Sequence, residues 1–308
     1  METFPRVLIL LSLYNGEKYL SEQLESILRQ QNVTVTICIR DDGSQDNSEK
    51  IIQEYSKRGQ IYVVKETNIG AEKSFMRLIE LAPDNYDYYA YADQDDYWNQ
   101  NKLCAAISQI EDSIEVPALY YSMTKRVGVN LETIANPYKR HYHTEGFPDV
   151  LIMTQASGCT MVFNGKMLNC LKRYTPTKIY MHDQWTIQVC AALGGKIVYD
   201  PKQYVLYRQH EDNVMGGLRK LSYNPLQLFI YRVHKFFDFS YKPSLVAAEL
   251  EKGYSEIMDN KSRKVTRMFV NAPTNIKDRI FIFFSNDIKT PYWMYNLKFR
   301  VQVLINKI

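Results

Sequence analysis

The chain has 308 residues, of which 45% are hydrophobic and 23% charged, a composition that suits one large domain or a domain with an appendage and excludes disorder and coiled coil. Its net charge of +4 conceals an asymmetry: residues 1–217 carry 22 Lys and Arg against 27 Asp and Glu, whereas residues 218–308 carry 16 against 7. An acidic body with a basic tail predicts that the tail meets something anionic, a membrane surface or a nucleic acid.

In chain order, Arg6 to Leu13 is a short, continuous apolar run stopped by Tyr14-Asn15-Gly16, the pattern of a strand buried on both faces. Leu20, Leu24, Ile27 and Leu28 then recur at helical spacing. Val33 to Ile39 alternates as a strand and stops at Asp41-Asp42-Gly43-Ser44, and Asp46, with Glu49 three residues later, reads as the N-cap of a helix carrying Ile51, Ile52 and Tyr55. A third strand, Ile61 to Val64, turns at Asn68-Ile69-Gly70 into a helix with Phe75, Leu78 and Ile79. Tyr88 to Ala92 is a fourth strand, ended by Asp93-Gln94-Asp95-Asp96 and followed by a helix through Leu103, Ile107 and Ile110 and a strand at Ala118 to Ser122. Farther on, Gly158 to Phe163 reads as a strand and Trp185 to Leu193 as a helix ended by Gly194-Gly195. Two short strands follow, at Lys196 to Tyr199 and Tyr204 to Arg208. From Leu218 the chain turns basic and aromatic, with an amphipathic helix over 226–237 and apolar groups beside Lys and Arg at 279–284 and 292–293.

This alternation predicts an α/β protein with a mainly parallel, doubly wound sheet flanked by helices. In such sheets ligands bind outside the carboxyl ends of the strands. The polar clusters at Tyr14-Asn15, Asp41-Asp42, Asn68 and Asp93 to Asp95 each follow a predicted strand, so they should converge on one crevice. No run of about 18 apolar residues is present, so no transmembrane helix is expected. The start lacks a basic segment and a cleavage site, so no secretory signal is expected. Cys38, Cys104, Cys159, Cys170 and Cys190 are odd in number and widely spaced, without a Cys-x-x-Cys pair. They read as reduced core thiols of a cytoplasmic protein.

Asp93 and Asp95 are two carboxylates spaced i, i+2 at a strand end, a pattern that holds a ribose hydroxyl and a hard divalent cation; acidic turns without a ligand share it. Asp41 and Asp42 suit a base or ribose, or an ordinary Asp-Gly turn. Asp183 reads as a general base that takes a proton from a hydroxyl, or as a helix N-cap. Trp185 reads as a sugar wall or as core packing. Arg208 and His210 suit a diphosphate or a metal shell, or a solvated strand end. The chain has neither Gly-x-Gly-x-x-Gly nor a P-loop.

Together, Leu11 to Glu17, Arg40 to Ser44, Asn68 to Gly70, Asp93 to Trp98, Met181 to Trp185 and Tyr207 to Asn213 resemble the motifs of glycosyltransferase family 2. The likeness runs in order over residues 5–217 and is strongest to the bacterial rhamnosyltransferases of cell-wall and capsular polysaccharides. It implies a GT-A fold over 1–217; residues 218–308 resemble these enzymes only in being basic and aromatic, and from that charge and aromatic content read as a helical extension that meets the membrane. It further implies inverting transfer from a nucleotide diphosphate sugar, with Tyr14, Asn15, Asp41, Asp42, Asn68 and Asp93 on the nucleotide and Arg208 beside the diphosphate. Asp95 and His210 would hold Mg²⁺ or Mn²⁺, Asp183 would be the base, and His182 and Trp185 would meet the acceptor. Strand one lacks the proline common before Tyr-Asn, and the base motif is His-Asp in place of Glu-Asp. The expected donor is dTDP-L-rhamnose, with UDP-galactofuranose, UDP-glucose or a UDP-N-acetylhexosamine as alternatives. The expected acceptor is a lipid-linked glycan at the inner face of a bacterial cell membrane. A nucleic-acid-binding tail is the rival reading; it is disfavoured because the basic residues are interspersed with long apolar groups and no RNA-binding signature is present. A sugar-nucleotide pyrophosphorylase would want a glycine-rich basic loop after strand one, which Tyr14-Asn15-Gly16-Glu17 is not.

Overall fold

A computed structural model describes residues 4–134, 143, 146–154, 156–211, 230, 233–234 and 236–308. Eight strands form one mixed sheet: β1 (Arg6–Leu13), β2 (Thr34–Asp41), β3 (Gln60–Lys65), β4 (Tyr88–Ala92), β5 (Tyr97–Trp98), β6 (Ala118–Val127), β7 (Val162–Asn164) and β8 (Lys196–Arg208), in the spatial order β3-β2-β1-β4-β7-β6-β8-β5. The first half matches the expected parallel winding. Crossover helices α1 (Leu20–Leu28), α2 (Ser48–Tyr55) and α3 (Ala71–Leu81) link parallel β1, β2, β3 and β4. The second half departs from it: β7 runs antiparallel to β4 and β6, β8 returns parallel to β6, and β5 pairs antiparallel with β8.

The continuous apolar run of β1 is buried on both sides. Leu8 and Leu10 join one cluster with α3 and the helices α5 (Gly165–Lys172) and α6 (His182–Ala192). Val7, Ile9 and Leu11 join the opposite cluster with α1, α2 and α4 (Lys102–Ile110). Each such side chain taken out of water contributes about 1.5–3 kcal/mol, which is why the strand reads as unbroken hydrophobic sequence.

Register places the site. Leu13 lies opposite Asp41, Asp41 opposite Lys65, and Leu11 opposite Ala92. The loops after β1, β2, β3 and β4 therefore leave the sheet at one edge. Because β7 is antiparallel to its neighbours, its beginning lies at that edge, and because β8 is parallel to β6, its end lies there too.

Three expectations are corrected. Gly158 to Phe163 is not one strand: Gly158–Thr160 is a 3-10 turn and only Val162–Asn164 pairs. The two short strands at 196–208 are one strand, bent where Pro201 cannot donate to the ladder and the register with Ser122 and Met123 shifts. Asp46 is not the N-cap of α2; Asn47 takes that place, and the Asp46 carboxylate accepts from the Glu17 and Ser48 amides at 2.8 and 3.0 Å. The helix expected over 226–237 lies largely outside the described residues.

The end of the chain is not a detached arm. Helices α7 (Pro243–Tyr254), α8 (Asn260–Asn271), α9 (Ile276–Phe284) and α10 (Trp293–Leu304) bury Leu250, Tyr254, Phe269, Ile282, Phe299 and Val303 in the cluster that holds β4 and α6. Buried Glu249 of α7 accepts from Tyr174 Oη at 2.9 Å, the Thr177 amide at 2.7 Å, Thr177 Oγ1 at 3.1 Å and Lys252 Nζ at 2.8 Å. Among the described residues no helix is long and apolar enough to cross a membrane.

Candidate active site

The loops of the parallel half are stitched to one another. Asn15 has a left-handed φ of 49°, a conformation that Asn tolerates better than most residues. Its amide donates to Ser44 Oγ and its Oδ1 accepts from the Gln45 amide, both at 2.9 Å. Gln94 clamps the Tyr14 backbone from both sides, accepting from its amide at 2.8 Å and donating to its carbonyl at 3.1 Å. The Tyr14 ring stays exposed.

Asp41 and Asp42 are both buried. Asp41 Oδ1 accepts from the Ser44 amide at 2.8 Å. Asp42 accepts from the Ile69 and Gly70 amides at 2.9 and 3.1 Å and from the buried Arg40 guanidinium. Its carboxylate is thus engaged with the protein, and it holds the turn that carries exposed Asn68.

On the other side of the crevice the end of β8 meets the acidic turn. His210 Nε2 lies 2.7 Å from Asp95 Oδ2. Arg208 is buried: its Nε donates to the Asp95 carbonyl at 2.8 Å, its amide to Asp96 Oδ1 at 3.3 Å, and its guanidinium to Glu22 at 2.5 Å and to the Val129 carbonyl. The same guanidinium lies 4.4 Å over the Tyr19 ring, which packs 5.0 Å from His210.

Asp183 completes the rim from α6. It is not the N-cap; Met181 is, and Asp183 sits within the first helical turn. Its Oδ2 accepts from the Gly158 amide at 3.0 Å and its Oδ1 from the Gln184 amide at 2.7 Å. Burial pushes its carboxyl up to about 6, against the lowering effect of those amides. Asp93 is pushed up to about 7, first by burial, then by the charges of Asp95 and Asp183. Three carboxyl groups therefore share one poorly hydrated place, an arrangement that favours a bound cation.

The expected divalent cation fits this chemistry. Asp93 and Asp95 offer hard carboxylate oxygen and His210 an imidazole nitrogen, donors that suit Mg²⁺ or Mn²⁺. Asp93 also lies in a second group with Asp96 and Cys159, whose ligand atoms fall within 4.8 Å of one another. There burial raises the Cys159 thiol well above its ordinary range, so it remains protonated.

Residues 8–169 match the family described as Glycosyl transferase family 2. The chain belongs to that family. It is 32% identical over 221 residues to the dTDP-rhamnosyl transferase RfbG of Shigella flexneri, covering 66% of this chain and 73% of that protein. Two solved structures share its GT-A fold. S. aureus TarS 1-349 in complex with UDP-GlcNAc has a TM-score of 0.58 and 19% identity, covering 97% of this chain and 81% of its own. The mannosyltransferase PcManGT from Pyrobaculum calidifontis, in complex with GDP-Man and Mn²⁺, has a TM-score of 0.53 and 14% identity, covering 99% and 88%.

In this glycosyltransferase the acceptor-side expectations need correction. Trp185 is 1% exposed and packs among Tyr174 and Tyr254, so it belongs to the core and offers no wall to a sugar. His182 is also buried, stacked 3.7 Å from the Phe75 ring and edge-on to Tyr91. Burial lowers its imidazole to about 3, so it stays neutral, and it cannot face an acceptor in this conformation. Sequence reading missed Gln94, Glu22, Tyr19 and Gly158. Gln94 sits between the two aspartates, Glu22 and Tyr19 lie on or beside α1, and Gly158 lies inside a presumed strand; none carries a pattern that announces a partner far away in the chain. Asp212 and Asn213 lie outside the described residues.

Proposed function

We propose that this glycosyltransferase catalyses an inverting transfer from a nucleotide diphosphate sugar to a hydroxyl of a lipid-linked glycan, in polysaccharide synthesis at the inner face of the cell membrane. The observation that carries the reading is that Asp93 lies within electrostatic reach of both Asp183 and Asp95, and that Asp95 is paired with His210 at 2.7 Å.

Asp183 takes the acceptor proton. The freed oxygen bonds to the anomeric carbon as the bond from that carbon to the β-phosphate oxygen breaks, and the electron pair leaves with the nucleoside diphosphate. The two amides on Asp183 aim the carboxylate, and each oxygen keeps a second lone pair. Asp93, Asp95 and His210 are the residues that would hold the cation; when bound, it neutralises charge on the departing diphosphate. Arg208 braces the Asp95 backbone. Exposed Tyr14 and Asn68 face the nucleoside with Asn15, while Asp41 and Asp42 act through the turns they organise.

The donor proposed is dTDP-L-rhamnose, supported by the likeness to RfbG. UDP-galactofuranose, UDP-glucose and a UDP-N-acetylhexosamine are the alternatives, the last favoured by the fold shared with the UDP-GlcNAc complex of TarS. Calorimetry with dTDP, UDP and GDP, each with and without Mn²⁺ or Mg²⁺, followed by hydrolysis of a donor panel, tests this. Tighter binding of dTDP that needs the metal is expected; a preference for UDP moves the donor to the alternatives, and no metal dependence removes the cation.

A further inference from the structure

Helices α9 and α10 carry apolar side chains on two sides. Ile282 of α9 and Phe299 and Val303 of α10 face the core. On the other side of α9, Ile276, Ile280 and Phe284 recur every four residues and stand in solvent, with Phe284 73% exposed. On α10, Trp293, Leu297 and Leu304 share one face, with Trp293 67% and Leu304 70% exposed. A surface helix that buries one face normally shows a polar opposite face; these two do not. Arg300 fastens them together, donating from α10 to the carbonyls of Ile282, Ser285 and Ile288 at and after the end of α9. The two helices therefore form one fixed plate, each turning its exposed stripe away from the core. Residues 273–308 carry six Lys and Arg against two Asp, and Lys277, Lys289 and Lys307 are exposed.

We infer that the α9–α10 plate is a docking surface for an anionic lipid bilayer, on which it lies without crossing. Large Trp, Phe and Ile side chains enter the boundary between headgroup and acyl chain, and the lysines meet lipid phosphates. Charge complementarity selects this occupant over a second copy of the chain, whose own plate would carry the same positive charge. The inference deepens the reading that the acceptor is lipid-linked, because it brings the enzyme to the surface where such an acceptor resides.

The test is flotation of the full chain with vesicles of phosphatidylcholine, alone or mixed with phosphatidylglycerol, for wild type, Phe284→Ser/Trp293→Ser and Lys277→Glu/Lys289→Glu. Both pairs are exposed, so thermal melting and nucleotide affinity should be unchanged. Wild type should float with the anionic vesicles. The apolar pair should lose roughly tenfold or more of that binding. The lysine pair should lose a similar amount, and salt should weaken wild type more than this variant. Wild type that stays at the bottom of the gradient, or variants that float equally well, would overturn the inference. So would self-association abolished by Phe284→Ser/Trp293→Ser in a protein that ignores vesicles, which assigns the plate to a second copy. Nucleotide calorimetry keeps the outcome apart from the donor reading, since lipid binding and dTDP binding can fail separately.

Discussion

Gly158 and Asp183, 25 residues apart, are joined by a 3.0 Å hydrogen bond from the Gly158 amide to Asp183 Oδ2, at a point where only glycine fits. A Cβ on Gly158 would lie 2.6 Å from His182 Nε2 and 3.4 Å from Asp183 Cβ. The imidazole cannot retreat, because the Phe75 ring is stacked against it at 3.7 Å. His182 therefore acts as a neutral wedge between the hydrophobic core and the turn that aims Asp183.

Gly158→Ala should displace Asp183. We expect turnover to fall by about 10–100-fold, the scale of a misplaced catalytic group, with donor affinity nearly unchanged. Adding His182→Ala removes the clashing ring and should restore part of the lost rate. Single-turnover rates with a lipid-linked acceptor check this, and no recovery in the double variant would show that the wedge is not the cause.

Asp183→Asn should leave donor binding nearly intact and cut transfer by roughly 10²–10⁴-fold. A general base acts when deprotonated, and burial raises the carboxyl of Asp183, the base we propose, to about 6 from an ordinary 3.8. The wild-type rate should therefore rise with pH through the region near 6 and level above it. A pH profile of turnover checks the limb, which should vanish in the residual activity of the Asn variant.

Asp95→Ala should abolish the metal-dependent part of nucleotide binding while the fold survives, because the side chain sits on a turn at the sheet edge. His210→Ala should weaken it less, since one imidazole is lost and the carboxylates stay. Calorimetry with and without Mn²⁺, beside a thermal melt, separates the two losses; equal nucleotide affinity in wild type and Asp95→Ala would reject the assignment.

Glu249→Gln should destabilise the protein by about 2 kcal/mol near neutral pH, the scale of losing charge-assisted hydrogen bonds in a buried place. Burial alone would raise this carboxyl, but Lys252, Thr177 and Tyr174 outweigh it and hold it at about 2, below the ordinary 4.5. A depressed carboxyl stabilises the fold fully above its unfolded pKa and loses that contribution as pH falls through its folded one. The gap between wild type and variant should be complete above pH 4.5, shrink below it and close near 2. Denaturant titrations across that range measure it.

Deleting residues 243–308 should cost the fold itself. The deletion removes Leu250, Tyr254, Phe269 and Phe299 from a shared core and takes the Tyr254 ring away from Trp185. We expect an aggregated or molten product, read from lost near-ultraviolet dichroism; a cooperative melt in the truncated protein would show that the sheet stands without its helices.

The sequence by itself determined the parallel half of the sheet, because strands buried on both faces must be continuously apolar, and the run from Arg6 to Leu13 is. It also determined which loops converge, since each polar cluster ends a strand of that half. The positions of Asp95, His210 and Asp183 were legible for the same reason: each stands at the boundary of an element whose period is readable. Only the tertiary structure decided that β7 runs the other way, since three paired residues carry no period. That reversal brings Gly158 to the rim. Burial of Trp185 and His182 was likewise beyond local pattern, because α6 is covered almost all round: nine of its eleven residues are buried, so no polar face marks which side meets solvent. The basic character of residues 218–308 was plain in the composition, but composition is blind to which apolar groups find a core. Packing of α9 and α10 decided that Ile282 and Phe299 go inward while Phe284 and Trp293 stay outside.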